Sequence, residues 1–383
     1  MIDRIHPHAR IESALERYPV VAMLGPRQCG KSTLAREVCR LRSGTFFDLE
    51  DPSCPLLTDS AKFVLDSLRG LVVLDEIQHK PDLFPLLRVL ADRPDTPARF
   101  LLLGSASPHL VKHVSETLAG RVAMVPMSGF DLTEIGTDNF RSLWLRGGFP
   151  RSWLAETNAE SMEWRNNFIR TFLERDIPAL GIRVPAATLR RFWGMVSHFH
   201  GQIWNAAELA RSLGTQESTA KHYLDILEST FVLRVLPPWY ENLGKRLVKS
   251  PRVYFRDSGL LHAFFQTESE LDLLSHPRAG ASWEGFAIEQ ILSIVGTAEN
   301  AWFYRTQAGT ELDLMVQHKG KRYGFEFKLA DNPTITKSMT VAMQDLELEK
   351  LFVIHPGEGR VMLREKVERT ALRELPAALV EMG

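Results

Sequence analysis

Residues 25–32 read Gly25-Pro-Arg-Gln-Cys-Gly-Lys31-Ser32 and match the pattern Gly-x-x-x-x-Gly-Lys-Ser at every fixed position. The apolar run Val20–Leu24 before them is typical of a buried strand, and Ser32–Cys39 has the apolar spacing of an amphipathic helix. A strand, a glycine-rich turn and a helix in this order are the context in which the pattern binds phosphate. The sequence therefore predicts a P-loop, whose backbone N–H groups and helix N-terminus hold a polyphosphate.

The residues of this loop are predicted to hold a nucleotide. The two glycines let the backbone turn tightly around the phosphates, and Lys31 is expected to contact the β- and γ-phosphates. The Ser32 hydroxyl is expected to coordinate Mg²⁺. We therefore expect ATP and Mg²⁺ as cofactors, with nucleotide contacts from Gly25, Pro26, Arg27, Gln28, Cys29, Gly30, Lys31, Ser32 and Thr33.

A second apolar run, Leu71–Leu74, ends in the acidic pair Asp75-Glu76. In P-loop enzymes such an aspartate holds Mg²⁺ and the adjacent glutamate polarises the attacking water, so Asp75 is predicted as a metal ligand and Glu76 as catalytic. A third run, Phe100–Gly104, delivers Ser105 at the tip of a strand expected beside the P-loop strand. Ser105 is placed to contact the γ-phosphate or the water, although serine after glycine is also ordinary in turns.

These strands alternate with helical stretches such as residues 85–91, which predicts a parallel sheet with helices on its faces. Ligands of such folds bind at the carboxyl edge of the sheet. Lys31, Asp75, Glu76 and Ser105 are therefore expected to converge there.

Two arginines stand beside glycine turns, in Leu118-Ala-Gly-Arg121 and in Leu145-Arg146-Gly-Gly-Phe-Pro150. Either guanidinium could stabilise charge on a transferred phosphoryl group, within the chain or from a neighbouring subunit. Each could equally be a surface arginine beside a turn.

The chain of 383 residues is too long for one ordinary hydrophobic core, which predicts two or three domains. Its net charge of -1 gives no overall attraction for nucleic acid, so a DNA-binding surface must be local. No apolar run approaches the length of a membrane span and the N-terminus lacks a signal-peptide core, so we expect no membrane partner and a cytoplasmic location.

Residues 205–228 have the pattern of two short helices separated by a glycine, with Asn205 as N-cap and Gly214 as C-terminal stop of the first. With the apolar run 231–236 as a wing strand, they predict a winged helix-turn-helix. The same module could be a rigid spacer or a protein-docking domain, because few of its exposed side chains can read bases. Its candidate DNA contacts are Ser218, Thr219, Lys221, His222, Lys245 and Arg246.

Acidic residues gather again between residues 283 and 328. Glu284 falls on a predicted helix, and Asp313 can meet Glu326 and Lys328, which share one face of a strand, across a hairpin. This set resembles the PD-(D/E)xK nuclease core, in which carboxylates bind Mg²⁺ and the lysine orients or activates water. The alternative is a hairpin with a solvated acidic and basic face. A nuclease-like fold can also persist after its nuclease activity is lost.

Taken together, the motifs Gly-Pro-Arg-Gln-x-Gly-Lys-Ser-Thr, Leu-Asp-Glu-Ile-Gln, Leu-Gly-Ser, Leu-Ala-Gly-Arg and Gly-Gly-Phe-Pro resemble those of prokaryotic AAA+ ATPases that carry a C-terminal domain of unknown function. The resemblance covers almost the whole chain. Gly148–Pro150 is similar to the Gly-x-Pro element of STAND-type NTPases, which implies a lid near the nucleotide. The resemblance implies Walker A residues Lys31, Ser32 and Thr33, Walker B residues Asp75 and Glu76, sensor 1 residue Ser105 and arginine finger Arg121.

We therefore expect an α/β chain with three parts: an AAA+ P-loop NTPase domain with a parallel sheet and lid helices (1–185), a winged helix-turn-helix (186–245) and an α+β PD-(D/E)xK nuclease-like domain (246–383). The expected function is Mg²⁺-dependent ATP hydrolysis coupled to binding or remodelling of DNA, with nuclease activity as a further candidate. The family implies a homo-oligomer, since Arg121 acting in trans needs a neighbour. The alternative is an NTP-driven regulatory switch whose degenerate nuclease fold binds other proteins.

Overall fold

The computed structural model describes residues 2–58, 60–94, 98–105, 114, 116–240, 247–296 and 298–382. They form two compact units: unit 1 runs to Gly129 and includes Ser229–Phe231, and unit 2 contains Phe130–Glu228 and the chain from Val232 onward. The boundaries expected at residues 185 and 245 thus both fall inside unit 2. The physical reason is that the helices in residues 140–171 pack against a helix more than 85 residues later, Ser258–Phe265.

Unit 1 alternates strands with helices, as the sequence predicts. Its helix α2 begins at Lys31, directly after the glycine-rich turn. The helices are α1 (Ile5–Arg17), α2 (Lys31–Leu41), α3 (Pro55–Thr58), α4 (Ala61–Asp66) and α5 (Leu83–Ala91), and the strands are β1 (Val20–Gly25), β2 (Thr45–Asp48), β3 (Leu71–Asp75), β4 (Arg99–Ser105) and β5 (Val122–Pro126).

The strands of unit 1 form one sheet in the order β2-β3-β4-β1-β5, and every neighbouring pair is parallel. This confirms the predicted parallel sheet. Val20, Ala22 and Leu24 of the inner strand β1 belong to the same core cluster as side chains of α5. Val21 and Met23 point to the opposite face because side chains alternate along a strand, and they too are buried. Both faces of β1 are therefore covered by apolar packing.

Unit 2 contains a helical region, a small sheet and a larger sheet. Its helices are α6 (Leu132–Ile135), α7 (Phe140–Arg146), α8 (Pro150–Trp153), α9 (Asn158–Thr171), α10 (Ile177–Ala179), α11 (Ala186–His198), α12 (Ala206–Leu213), α13 (Glu217–Ser229), α14 (Ser258–Phe265), α15 (Glu270–Ser275), α16 (Ala279–Val295), α17 (Lys337–Asp345) and α18 (Leu375–Val380). Its strands are β6 (Gln202–Ile203), β7 (Leu233–Leu236), β8 (Arg252–Phe255), β9 (Ala301–Arg305), β10 (Glu311–His318), β11 (Lys321–Phe327), β12 (Lys350–His355), β13 (Arg360–Arg364) and β14 (Val367–Ala371).

Helices α12 and α13 lie in the chain between β6 and β7, and the strands β6, β8 and β7 form a three-stranded antiparallel sheet in that order. The predicted limits of α12 are confirmed: the side chain of Asn205 accepts a hydrogen bond of 3.2 Å from the backbone of Glu208. Gly214 ends the helix in the left-handed conformation with φ of 72°. Leu224 and Leu227 of α13 are buried, as the sequence predicts.

The larger sheet has the order β13-β14-β12-β11-β10-β9 and mixes parallel with antiparallel pairs. The predicted hairpin is confirmed, because β10 and β11 are antiparallel with Leu314 opposite Phe325. Helix α16 shares a core cluster with this sheet, through Trp283 and Ile291 among others. This packing sets the helix that carries Glu284 against the strands that carry Asp313 and Glu326.

The Gly-Gly-Phe-Pro segment is held by a carboxylate from the start of α14. Asp257 accepts hydrogen bonds from the backbone N–H of Gly148 at 2.8 Å and of Leu260 at 2.9 Å. Gly147 has φ of 77°, and a Cβ there would lie 2.2 Å from Asp257 Oδ1, so the position favours glycine. The contacts give the segment a packing role within unit 2, and its implied role as a lid stays a prediction.

None of the helices in the described part of the chain has the length and apolar composition needed to span a bilayer.

Candidate functional site

The glycine-rich turn of unit 1 has the backbone that close approach to phosphate requires. Gln28 at its apex has φ of 62° and Gly30 has φ of 100°, both in the left-handed region. A Cβ on Gly25 would lie 2.1 Å from the carbonyl oxygen of Met127, so no larger residue fits there. The turn then enters α2, whose first backbone N–H groups point out of the helix N-terminus.

Lys31 closes this turn on itself. The side chain is buried with 6% of its surface exposed, and Nζ donates hydrogen bonds to the carbonyl oxygens of Gly25 at 3.0 Å and Pro26 at 2.8 Å. The ammonium group therefore lies at the turn, within the backbone that would surround a phosphate.

The acidic pair lies at the carboxyl end of β3. Asp75 is buried and accepts hydrogen bonds from the Ser32 hydroxyl and, at 3.1 Å, from the backbone N–H of Glu76. Burial raises the pKa of Asp75, the bond from Ser32 opposes that rise, and the nearby Glu76 and Asp48 add to it. The structure thus brings the predicted metal-binding side chains of Ser32 and Asp75 together.

Glu76 follows in a conformation that is rare for a residue with a side chain, with φ of 53° and ψ of 48°. Its carboxylate accepts a hydrogen bond from the side-chain amide of Gln78. Such strained backbone tends to occur at functional sites, where the surrounding structure maintains it.

Ser105 ends the strand next to the P-loop strand. The register pairs it with Gly25, which confirms the predicted neighbourhood of β4 and β1. The side chain of Ser105 lies outside the described residues.

Arg121 lies at the amino-terminal end of the parallel strands, opposite the end that carries the P-loop. It directly precedes β5, and its carbonyl accepts a hydrogen bond of 3.2 Å from Val20 at the start of β1. The P-loop begins at the far end of that strand, about 16 Å away at 3.3 Å per residue. The guanidinium pairs with Asp92 through bonds of 2.6 and 2.7 Å. Arg121 and the P-loop therefore stand at opposite ends of β1 in the structure, and the Arg121 guanidinium pairs with Asp92.

The sequence did not single out Arg4, which is nonetheless buried against the P-loop. Its guanidinium donates hydrogen bonds to the carbonyl oxygens of Cys29 and Ser128, both at 2.9 Å, and of Gly129 at 3.0 Å. No motif marks an arginine before α1, so only the folded chain identifies it.

Comparison with known proteins agrees with this geometry. Residues 17–136 match the model of an AAA domain, residues 137–271 a domain of unknown function (DUF8612), and residues 279–375 a second one (DUF4143). The uncharacterized protein Rv2008c of Mycobacterium tuberculosis is 48% identical over 368 residues, which cover 96% of this chain and 83% of that protein. The uncharacterized protein Mb2031c of Mycobacterium bovis matches to the same extent.

The chain belongs to the family of these two mycobacterial proteins. Its nucleotide-binding part is an AAA domain of the P-loop ATPase type. A solved structure of the Walker-type ATPase PABY2304 of Pyrococcus abyssi has the same general fold, with a TM-score of 0.50 and 15% identity. That match covers 69% of this chain and 96% of the archaeal protein.

In this member of the family, unit 2 brings a second set of charged residues together. We define the acidic cluster as Glu284 of α16, Asp313 of β10 and Glu326 of β11. Lys328 Nζ lies 2.7 Å from Glu326 Oε1, and Asp313 accepts a hydrogen bond of 3.2 Å from the backbone N–H of Phe327. The residues predicted as a nuclease site are therefore neighbours in the folded chain.

The sequence did not single out a fifth charged residue at this position, Arg252 of β8. Its Nη1 lies 3.1 Å from Glu284 Oε1 and 3.2 Å from Asp313 Oδ1, and its Nη2 lies 3.1 Å from Glu311 Oε2. Tyr254, two residues along the same strand, donates a hydrogen bond of 2.5 Å to Glu284. The alternation of β8 puts both side chains on the face of the acidic cluster.

Burial favours the neutral form of the two glutamate side chains of this cluster. Burial and then the charge of Asp313 raise the pKa of Glu284 to about 8. The same two causes raise the pKa of Glu326 to about 7. Burial lowers the pKa of Lys328, but the attraction of Glu326 and Asp313 outweighs burial and raises this pKa above its usual value.

A divalent cation does not fit the acidic cluster as it stands. The guanidinium of Arg252 already bridges Glu284 and Asp313, and within the described residues no three His, Cys, Asp or Glu side chains are arranged to hold a metal ion. We therefore derive no chemical step through a metal here.

The predicted DNA contacts on α13 are accessible. Ser218, Lys221 and His222 are exposed and Thr219 is half-buried. Asp225 is exposed on the same face of the helix, one turn after Lys221 and His222. Two further predicted contacts, Lys245 and Arg246, lie outside the described residues.

Proposed function

We propose that unit 1 binds ATP with Mg²⁺ and hydrolyses it. The observation that carries this proposal is the hydrogen bond between Ser32 and Asp75, which joins the P-loop helix to the acidic end of β3. A hydroxyl and a carboxylate are oxygen ligands of the kind that Mg²⁺ prefers, and Mg²⁺ in nucleotide sites takes one or two protein ligands besides phosphate and water. The two side chains therefore fit the ion, which when bound would neutralise charge on the phosphates.

The other residues at the carboxyl ends of the strands would contact the phosphates or the attacking water. Lys31 would exchange its carbonyl partners for phosphate oxygens, and the backbone N–H groups of residues 25–33 would surround the phosphates. Glu76 would accept a proton from the attacking water, with Gln78 orienting its carboxylate. Ser105 would contact the γ-phosphate from the neighbouring strand.

Single substitutions separate binding from hydrolysis. Lys31→Ala should abolish nucleotide binding, whereas Glu76→Gln should bind ATP and lose roughly 10²–10⁴-fold in turnover. Glu50→Gln is the matched control, since Glu50 is an exposed carboxylate that pairs with Arg27 at 3.2 Å near the same loop. Rapid turnover by the Glu76→Gln protein would remove Glu76 from its role, and tight ATP binding by Lys31→Ala would overturn the proposed site.

Hydrolysis would be completed by a second copy of the chain. Because Arg121 stands at the far end of β1 from the P-loop of its own chain, the proposed role on phosphate is one in trans. The proposal therefore includes a homo-oligomer in which one subunit presents Arg121 to its neighbour.

A second candidate function is DNA binding by unit 2. The order α11, β6, α12, α13, β7, β8 with an antiparallel sheet resembles that of a winged helix, and it supports the proposal that α13 enters a DNA groove. Lys221 and His222 would then contact phosphates, and Asp225 would oppose them.

The charges on α13 allow a two-sided test of that function. Lys221→Ala should weaken duplex binding and reduce the salt slope by about one, and Asp225→Asn should strengthen binding. The measurement is DNA affinity at several salt concentrations. If neither substitution changes affinity, α13 is not the DNA surface.

The alternative function is a regulatory switch in which unit 2 binds a protein. ATP turnover measured with and without duplex, branched and single-stranded DNA distinguishes the two. Stimulation by DNA supports the remodelling function, and an unchanged rate without salt-dependent binding favours the switch.

A further inference from the structure

Arg252 occupies a central position in the acidic cluster of unit 2. The carboxylates of Glu284 and Asp313 come from a helix and a strand, and both lie within 3.2 Å of the same nitrogen, Arg252 Nη1. A metal ion bridging these carboxylates would need the volume that this nitrogen fills, because a cation holds oxygen ligands at 2.0–2.6 Å.

Several contacts fix the guanidinium there. The side chain of Arg252 is 6% exposed, its Nη2 pairs with Glu311, and its Cζ lies 5.0 Å from the ring centre of Phe303. The planar guanidinium loses little conformational entropy for each hydrogen bond that it makes to these carboxylates. It also stays protonated at ordinary pH. Arg252 is therefore a permanent buried charge and not a side chain that swings in from solvent.

We propose that Arg252 is the resident cation of the acidic cluster, in the place where a PD-(D/E)xK nuclease holds its metal ion, and that unit 2 is consequently not a metal-dependent nuclease. The cluster instead ties helix α16 to the β10–β11 hairpin through charge. This inference concerns unit 2 alone and does not depend on ATP hydrolysis by unit 1.

The balance of charge supports this assignment. Four carboxyl groups, those of the acidic cluster and of Glu311, lie beside the two cations Arg252 and Lys328. Glu326 Oε2 is buried without a hydrogen-bond partner among the described residues. The loss of Arg252 would leave the acidic cluster with Lys328 as its remaining cation among these residues. Buried carboxylates without a partner either take up protons or bind a cation.

The test compares Arg252→Gln with the wild type and with Arg252→Lys in the full chain, using Mn²⁺ as the probe. All eight tryptophans of the chain lie after residue 129, so tryptophan fluorescence during heating follows unit 2 only. We expect millimolar Mn²⁺ to leave the melting temperature of the wild type and of Arg252→Lys unchanged. Arg252→Gln should melt at a lower temperature and should be restored by Mn²⁺ but not by Na⁺ at equal ionic strength.

Adding Asp313→Asn to Arg252→Gln should abolish the restoration, because it removes one of the freed ligands. The proposal is overturned if Mn²⁺ stabilises the wild type in a manner that Asp313→Asn removes, or if the folded Arg252→Gln protein does not respond to Mn²⁺. If Arg252→Gln does not fold, a DNA-cleavage assay tests the proposal instead. Metal-dependent cleavage by the wild type that Asp313→Asn abolishes would overturn the proposal. No metal-dependent cleavage by the wild type, together with a folded Arg252→Lys protein that does not respond to Mn²⁺, would support the proposal.

Discussion

Arg4 donates a hydrogen bond of 2.9 Å to the carbonyl oxygen of Cys29, inside the P-loop. The same guanidinium bonds to the carbonyls of Ser128 and Gly129, where the chain leaves β5. One buried side chain thus ties the backbone of the nucleotide loop to the end of the neighbouring strand. The shape of the loop depends on a residue more than 20 positions before it.

Replacing Arg4 by alanine should therefore weaken ATP binding and lower the stability of unit 1. Three carbonyl groups would each lose a donor, of which the Gly129 carbonyl keeps a bond of 3.4 Å from the Ser128 hydroxyl. An unsatisfied buried polar group costs about 1–3 kcal/mol. Calorimetry should show that unit 1 unfolds at a lower temperature in this variant. Its transition is the one that tryptophan fluorescence does not report. Arg17→Ala is the control, because Arg17 is exposed and bonds within its own helix. Equal effects of the two substitutions would contradict a specific role for Arg4.

Gly25→Ala should destabilise unit 1 by about 1–3 kcal/mol, the usual cost of an overpacked site. The added Cβ would lie 2.1 Å from a backbone oxygen of Met127, which cannot move as a flexible side chain could. Gly280→Ala is the matched control, since Gly280 is exposed in α16 and its Cβ would have nothing within 4 Å. That control should keep or slightly raise stability, because alanine favours a helix more than glycine does. Denaturant titration of both variants gives the comparison, and an unaffected Gly25→Ala protein would contradict the close approach.

Arg121→Ala should reduce ATP turnover only in the assembled protein. The pair with Asp92 is exposed, and such pairs contribute little to stability, so the fold should be unaffected. Mixing Arg121→Ala with Lys31→Ala should restore part of the activity, because the first supplies an intact P-loop and the second an intact arginine. Turnover measured across protein concentrations and mixing ratios checks this. Full activity of Arg121→Ala would remove the arginine from the reaction.

The stability of unit 2 should fall as pH rises from about 5 to about 8. A carboxyl group whose pKa is raised on folding stabilises the fold while it is protonated, and this contribution is lost as pH passes its folded pKa. For Glu284 and Glu326 those values are about 8 and about 7. Glu284→Gln cannot ionise, so its stability should depend less on pH over the same range.

Denaturant unfolding followed by tryptophan fluorescence at several pH values measures this dependence in unit 2 alone. Glu368→Gln is a suitable control, because bonds from Arg360 and Lys350 overcome the effect of burial and hold the pKa of Glu368 down, at about 2. Its contribution is lost only as pH falls below the ordinary carboxyl range. Identical pH slopes for Glu284→Gln and the wild type would contradict the raised pKa.

Much of unit 1 was predictable from the sequence. The apolar runs around 20–24, 71–74 and 100–104 became neighbouring parallel strands, and the helix after the P-loop begins at Lys31. Such features depend on periodicity and on turn residues within a few positions, so they can be recognised locally. The hairpin of β10 and β11 and the caps of α12 were predictable for the same reason.

The division of the chain into two units was harder to predict from the sequence. Residues 130–185 have helical patterns that suit a lid of the first domain, yet α7 and α9 pack against α14. Helical periodicity shows which face is apolar but not which later segment will cover that face.

By itself, the sequence determined the P-loop, the acidic pair Asp75-Glu76 and the alternation that makes a parallel sheet, because each is encoded by spacing along a short segment. Tertiary structure alone decided that Arg4 holds the loop, that Arg121 stands at the opposite end of β1 from the P-loop and that Arg252 lies among Glu284 and Asp313. These arginines meet their partners across separations of 25, 29 and 61 residues. Long-range packing sets such distances, and no local pattern records which buried charge will neutralise which.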